Sequence, residues 1–334
     1  MQVHCRFAGS TIETGDTAGY GSGCGMKIRG CTNTTVRRCV FTNLNKCIST
    51  SDEQGLTLEQ NFVYAFRSDA FYVGGSNLLI ADNLAVDNEP YVLSGGQSDH
   101  PDMVQPHGIR ESVIRDNLFR GRAQGVFGTG TDSGWDPTQP AGGVTVVNNM
   151  LQSSMRNVIR MGDMPDSLVA FNTVLDDGTG YTATAEVQGS SPGTIVEHNV
   201  AEQVNTSAGE GVTYRDNIEV QRDNPDGANY DGDVFVDAMA NENASIADYA
   251  PQPGVFDDLP VPPGVDLGEF FWLTVGNPSD PANEMHPLWL QLDAAGRDKL
   301  AALLELSADR PGDADGDGDV DLDDFALLRQ HFGT

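Results

Sequence analysis

The chain has 334 residues, 38 of them glycine, only 7% aromatic, with a formal net charge of −30. So acidic a surface disfavours nucleic acid as a partner and suits an exported, extracellular protein. No apolar run is long enough to span a membrane.

The first patterned segment is His4-Cys5-Arg6-Phe7. No segment before it reads as a signal peptide or a capping element, so an upstream region is expected. From Cys39 onward one local phrase recurs: a pair of residues, then Asn (once Cys), then an apolar residue. It stands at Cys39, Asn61, Asn83, Asn117, Asn149, Asn172, Asn199 and Asn217, at gaps of 22, 22, 34, 32, 23, 27 and 18 residues. A period near 22 with room for insertions is the mark of a solenoid rung. Residues 61–83 show its content: Phe62-Val63-Tyr64, a polar turn at Arg67-Ser68-Asp69, Ala70-Phe71-Tyr72-Val73, then Gly74-Gly75-Ser76-Asn77 and Leu78-Leu79-Ile80. Short β-branched and aromatic runs with gaps too short for helices predict three strands per rung. The expected fold is all-β: a single-stranded right-handed parallel β-helix of seven to nine rungs over residues 1–222. Its asparagines should stack as a hydrogen-bonded ladder at one corner.

The middle strand aligns at Met26, Ile48, Phe71, Met103, Val126, Val158 and Ala185. Whether Met103 or Val104 points inward is left open by the sequence. Two rungs carry insertions of about ten residues, Glu89–Asp99 and Gly130–Gly142, the second holding Asp132, Trp135 and Asp136. Solenoid insertions fall on one face, often the binding face. All five cysteines lie within the first 47 residues. They read either as a stacked disulfide pair or as small core residues.

The densest polar cluster is Gln97-Ser98-Asp99-His100-Pro101-Asp102-Met103-Val104-Gln105-Pro106-His107. The same strand on neighbouring rungs offers Arg67, Asp69 and Tyr72, then Arg122, Gln124 and Phe127, then Arg156 and Arg160, then Glu186 and Gln188. None of the three lysines, Lys27, Lys46 and Lys299, is expected in this site. A groove walled by the two insertions is expected, with Trp135 in one wall.

The repeat fades after about Ile218. Residues 223–310 read as a Pro- and Gly-rich cap with loops and one helix around Leu292–Leu306. Residues 311–334 hold the acidic loop Asp313, Asp315, Asp317, Asp319, Asp321 and Asp324, with Gly318 at its sharp turn. Oxygen ligands at loop positions 1, 3, 5, 7 (a carbonyl), 9 and 12 suit calcium, the expected cofactor. The loop and the apolar helix after it resemble one half of a dockerin, which implies docking onto a partner protein. A full dockerin has two such repeats.

The rungs and the segment Asp99-His100-Pro101-Asp102-Met103-Val104-Gln105 resemble right-handed parallel β-helix proteins of the pectate-lyase-like superfamily, over roughly residues 5–220. The resemblance implies the fold and a carbohydrate-active surface, while lyases, hydrolases and epimerases share it. The expected activity is a polysaccharide lyase that cleaves an acidic, uronate-containing polymer by β-elimination. His107 or His100 would be the base and Tyr72 the acid. Arg160, Arg122 or Arg156 would neutralise the uronate carboxylate. Asp102, Gln105, Glu186 and Trp135 would complete substrate binding. A glycoside hydrolase using Asp102 with Glu186 or Asp132 is the alternative, and a non-catalytic carbohydrate-binding solenoid is the third reading.

Overall fold

A computed structural model describes residues 6–8, 23–88, 100–130, 141–176 and 181–220, and beyond these only isolated positions such as Val234, Phe235 and Gln252. The described residues form three parallel sheets of nine, eight and ten strands. Every turn of the chain visits each sheet once. Lys46–Ser51 lies in the third sheet, Thr57–Glu59 in the second, Phe62–Tyr64 in the first, and Phe71–Ser76 is back in the third. This is a single-stranded parallel β-helix. Phe71 pairs in parallel with Ile48 on one side and Val104 on the other, so residues 70–73 form no hairpin with 78–81.

The corner between the second and first sheets repeats in atomic detail. The residue before each ladder position is left-handed: Arg38, Gln60, Asp82, Asp116, Asn148, Phe171, His198 and Asp216 have φ between 54 and 56°. That conformation is uncommon for a side-chain-bearing residue, and it turns the chain in two residues. The next residue then points its side chain into the corner. Each asparagine oxygen, from Asn83 to Asn217, accepts the backbone N–H (3.0–3.1 Å) and side-chain Nδ2 (2.9–3.0 Å) of the asparagine one rung earlier. The second amide hydrogen goes to a carbonyl of the second sheet, as from Asn117 to Ile80. Cys39 occupies the same position: its backbone N–H donates to Asn61 Oδ1, and its Sγ to the Arg37 carbonyl within its own rung.

Two corrections concern the third sheet. The inward residues in register are Met26, Ile48, Phe71, Val104, Val126, Ile159 and Ala185. Val104 and Ile159 therefore replace Met103 and Val158 in the alignment. Apolarity alone did not break the tie, because both members of Cys47-Ile48, Ala70-Phe71, Met103-Val104 and Val158-Ile159 are buried. Second, no disulfide joins the four described cysteines, Cys24, Cys31, Cys39 and Cys47. Cys39 and Cys47 are core residues. The cap, the helix near residue 300 and the acidic loop at 313–324 fall outside the described residues, apart from isolated positions.

The ladder predicts a graded stability effect. Asn117→Ala removes the acceptor of two buried donors on Asn83 and should lower the unfolding free energy by about 3 kcal/mol. Asn217→Ala, at the half-buried end of the ladder, should cost about 1 kcal/mol. Urea unfolding of the two variants checks this, and equal effects would show that the ladder is not a buried hydrogen-bond chain.

Candidate functional site

In-register stacking converts sequence into columns on the outer face of the third sheet. The strand register places Ser49, Tyr72, Gln105, Phe127, Arg160, Glu186 and Asn205 in one column. A parallel column begins each strand: Cys24 and Lys46, then Asp69, then Asp102 and Gln124. A third holds His107 and Thr129. Neighbouring rungs are about 4.8 Å apart, so residues as distant in sequence as Ser49 and Asn205, 156 positions apart, share one surface.

Contacts tie these columns together. The Lys46 ammonium pairs with the buried Asp69 carboxylate and sits 3.9 Å over the Tyr72 ring. Tyr72 in turn lies 5.2 Å from the His107 ring. Gly74, beside His107 on the adjacent strand, permits this approach, since a Cβ there would lie 2.9 Å from the His107 carbonyl oxygen. His100 Nδ1 lies 3.3 Å from Asp102 Oδ2, and the imidazole packs edge-on against Phe127 at 4.9 Å. The Arg160 guanidinium stands 5.1 Å over the same Phe127 ring.

Arg160 is held from one side. Its Nε donates to Gln188 Oε1 at 2.8 Å, and Nη2 bonds the same oxygen. Glu186 fixes the orientation of that amide, because a carboxylate only accepts. Gln188 Nε2 donates to Glu186 Oε1 at 2.6 Å, and Asn205 Nδ2 donates to Oε2 at 2.9 Å. The carbonyl of Gln188 is thereby left facing the guanidinium. Glu186 Oε1 itself lies 3.4 Å from Arg160 Nε. Among the described residues no hydrogen bond engages Arg160 Nη1.

Electrostatics distinguish the carboxyl groups. Asp102 is fully buried, and burial pushes its carboxyl up to about 7, against the opposing pull of His100. Asp102 Oδ1 has no hydrogen-bond partner among the described residues, and neither has Gln124 Oε1 on the next rung. A proton on Asp102 turns that oxygen into a donor. The hydrogen bond to Asp102 pushes His100 up from its ordinary value. Burial also pushes Asp69 up, opposed by Lys46. The exposed partner in the dyad is His100, 57% accessible, while Asp102 acts from beneath it.

The structure brings together Tyr72, His100, Asp102, Gln105, His107, Arg160 and Glu186 from the sequence-predicted set. Arg122, two residues before Gln124, stands in register beside His100, two residues before Asp102, and Arg156 lies just before Asn157. Both are exposed in the turns that precede the strands Gln124–Thr129 and Asn157–Gly162, because those strands begin after each arginine. Trp135 and the insertions at 89–99 and 131–140 lie outside the described residues, as do the six tail aspartates. Lys46 corrects the expectation of a lysine-free site. It occupies the strand position that Asp69 and Asp102 hold one and two rungs later, and its place two residues before Ile48 was the signal available in the sequence. Among the described residues no group of three or more His, Cys, Asp or Glu side chains is placed to hold a metal. Among them, too, no helix is long and apolar enough to cross a membrane.

Comparison with known proteins returned no matching family model, no matching curated protein and no matching solved structure.

The His100–Asp102 pair predicts a pH effect of definite sign. Both folded-state values lie above the unfolded ones, so the folded pair holds the extra protons. Its stabilisation is full below the usual carboxylate range and is lost as pH rises through about 7. Relative to Asp102→Asn, the parent should lose roughly 3 to 4 kcal/mol of unfolding free energy between about pH 4 and about pH 8. Denaturant titrations across that range check it, and a pH-independent difference would refute a raised Asp102.

Proposed function

We propose that this β-helix is an extracellular polysaccharide lyase acting on a uronate-containing polymer along the face of the third sheet. The observation that carries the reading is the grouping of Arg160, the His100–Asp102 dyad and the Tyr72–His107 pair on one exposed surface. β-Elimination asks for these three capabilities. A cation stabilises the charge that builds on the uronate carboxylate, a base takes the C5 proton, and an acid protonates the departing oxygen. Arg160 offers its Nη1 end to the carboxylate. His107, packed against Tyr72, takes the C5 proton. The C4–O bond breaks as the C4–C5 double bond forms, and His100, whose proton affinity Asp102 raises, delivers a proton to the leaving oxygen. Tyr72 stands as the alternative acid. Gln105, between Tyr72 and Phe127 in the column, supplies hydrogen bonds to the sugar.

The pectate-lyase-like resemblance of the rungs supports the same reading, and so does the burial of the carboxylates. Asp102 and Glu186, one of the two pairs a hydrolase would use, are both buried and engaged with neighbouring side chains, and Asp132 of the other pair lies outside the described residues. The acidic loop at 313–324 is proposed to bind one calcium ion and to serve as a docking element. Its support is the ligand spacing, and no catalytic step runs through it. Calorimetry should show one calcium bound per chain, lost on Asp313→Ala with Asp324→Ala.

The activity test is a panel of polygalacturonate, alginate and glycosaminoglycans, read by the ultraviolet absorbance of the unsaturated product. Arg160→Ala should lower kcat/KM by about a hundredfold to a thousandfold, as for loss of a key charge-stabilising donor, with the melting temperature nearly unchanged. New reducing ends without absorbance would replace the lyase by a hydrolase. Parent-like turnover in Arg160→Ala would move the chemistry to another face.

A further inference from the structure

Lys27 and Arg29 lie on the strand Cys24–Arg29, the first described strand of the third sheet. Lys27 pairs in register with Ser49, and Ser49 with Tyr72, so Lys27 heads the column that runs on to Arg160. Arg29 pairs with Ser51 at the head of the adjacent column. Both are exposed, and neither forms an ion pair among the described residues. The two strands Cys24–Arg29 and Lys46–Ser51 carry Lys27, Arg29 and Lys46 and no carboxylate. On a chain of net charge −30 that is a local reversal of sign.

The rest of the face sharpens the contrast. Along the columns through Tyr72 the carboxylates are buried, Asp69 under Lys46, Asp102 under His100 and Glu186 behind Arg160, while the exposed Asp52 follows Ser51 at the turn. The groups that meet solvent along those columns are thus cations, imidazoles, amides and the hydroxyls of Ser49, Ser51 and Thr129. At the far end the surface changes sign again, with exposed Glu210 pairing beside the strand Thr184–Ser190. Both described aromatic rings of the central column carry a cation, Lys46 over Tyr72 and Arg160 over Phe127. A ring face occupied in this way is not open for stacking against a sugar.

We propose that Lys27 and Arg29 form a second anion-binding site, two rungs beyond Tyr72 on the amino-terminal side, for a linear polyanionic glycan that lies along the helix axis. The inference rests on the lyase reading for the polymer's identity as a polyuronate. Lys27 stands two rungs, roughly 10 Å, from Tyr72, and five rungs, roughly 24 Å, from Arg160 at the usual strand spacing. A polymer with its reacting unit at Arg160 therefore meets Lys27 and Arg29 with sugars several units away. Recognition depends on charge on successive sugars, and binding extends toward the amino-terminal rungs rather than toward Glu210.

The test is affinity electrophoresis in gels containing polygalacturonate, alginate or neutral dextran, run at several salt concentrations. The variant Lys27→Gln/Arg29→Gln is compared with Arg37→Gln/Arg215→Gln, which removes the same charge from the second sheet. The first should weaken polygalacturonate or alginate binding about tenfold, equivalent to about 1.4 kcal/mol, and flatten its salt dependence. The second should bind like the parent. Each single variant, Lys27→Gln or Arg29→Gln, should show part of the loss, and a short uronate dimer should be turned over equally by all. Equal weakening in both double variants would reduce the effect to net charge and overturn the site. Parent-like binding in Lys27→Gln/Arg29→Gln, with the parent still retarded and active, would overturn the second site and leave the lyase reading intact. A parent retarded by no anionic polymer, or equally by dextran, would overturn both.

Discussion

The asparagine ladder is the constraint from which the rest of the molecule follows. A two-residue corner with one left-handed residue leaves the next side chain pointing into the solenoid, where no water satisfies it. An asparagine answers this with an acceptor and two donors in a plane, matched to the rung above, the rung below and the adjoining sheet. Because each amide needs its counterpart in the neighbouring rung, the rungs cannot slip. A shift by one residue would orphan a buried donor at every level and would also exchange the inner and outer faces of each strand. The ladder therefore sets the register of sheets whose own strands are as short as two or three residues.

Register in turn makes the surface. Once rungs are locked, residues far apart in sequence become neighbours in columns, and chemistry is assembled by position within the rung. Lys46, Asp69 and Asp102 share one such position on successive rungs, and the result is a buried acid beneath a cation beside another buried acid beneath an imidazole. The same logic places Arg160 above Phe127 and in front of Gln188 and Glu186. The insertions enter at the turns before Asp102–Arg110 and after Gln124–Thr129, on opposite margins of this sheet, so added length does not disturb the ladder.

Charge is partitioned by depth. In a protein with 49 acidic and 19 basic residues, the described carboxylates of the columns through Tyr72, namely Asp69, Asp102 and Glu186, are buried. Burial carries an electrostatic cost, visible in the raised Asp69 and Asp102. The cations above them remain at the surface, where an anionic polymer would meet a field opposite to that of the chain as a whole.

The eight-fold phrase ending in Asn or Cys was enough to determine the solenoid, the rung boundaries and the two insertions. Those are consequences of local turn chemistry, which repeats in sequence wherever it repeats in space. Much of the site was legible too, since Tyr72, Gln105, Arg160 and Glu186 lie at matching places in successive rungs. The phase of the third sheet was not legible. Met103 and Val104 are both apolar and both buried, and only pairing with Phe71 separates them. Nor does apolarity mark the residue at which a strand begins, so the sequence did not show that Arg122 and Arg156 stand in the turns just before their strands. Lys46 is expected outside the site from sequence because it stands 56 residues before Asp102 in the chain, and only stacking brings the two within two rungs. Whether a side chain is buried beneath its neighbour or meets solvent above it depends on the rung next door, and that relation exists only once the rungs are stacked.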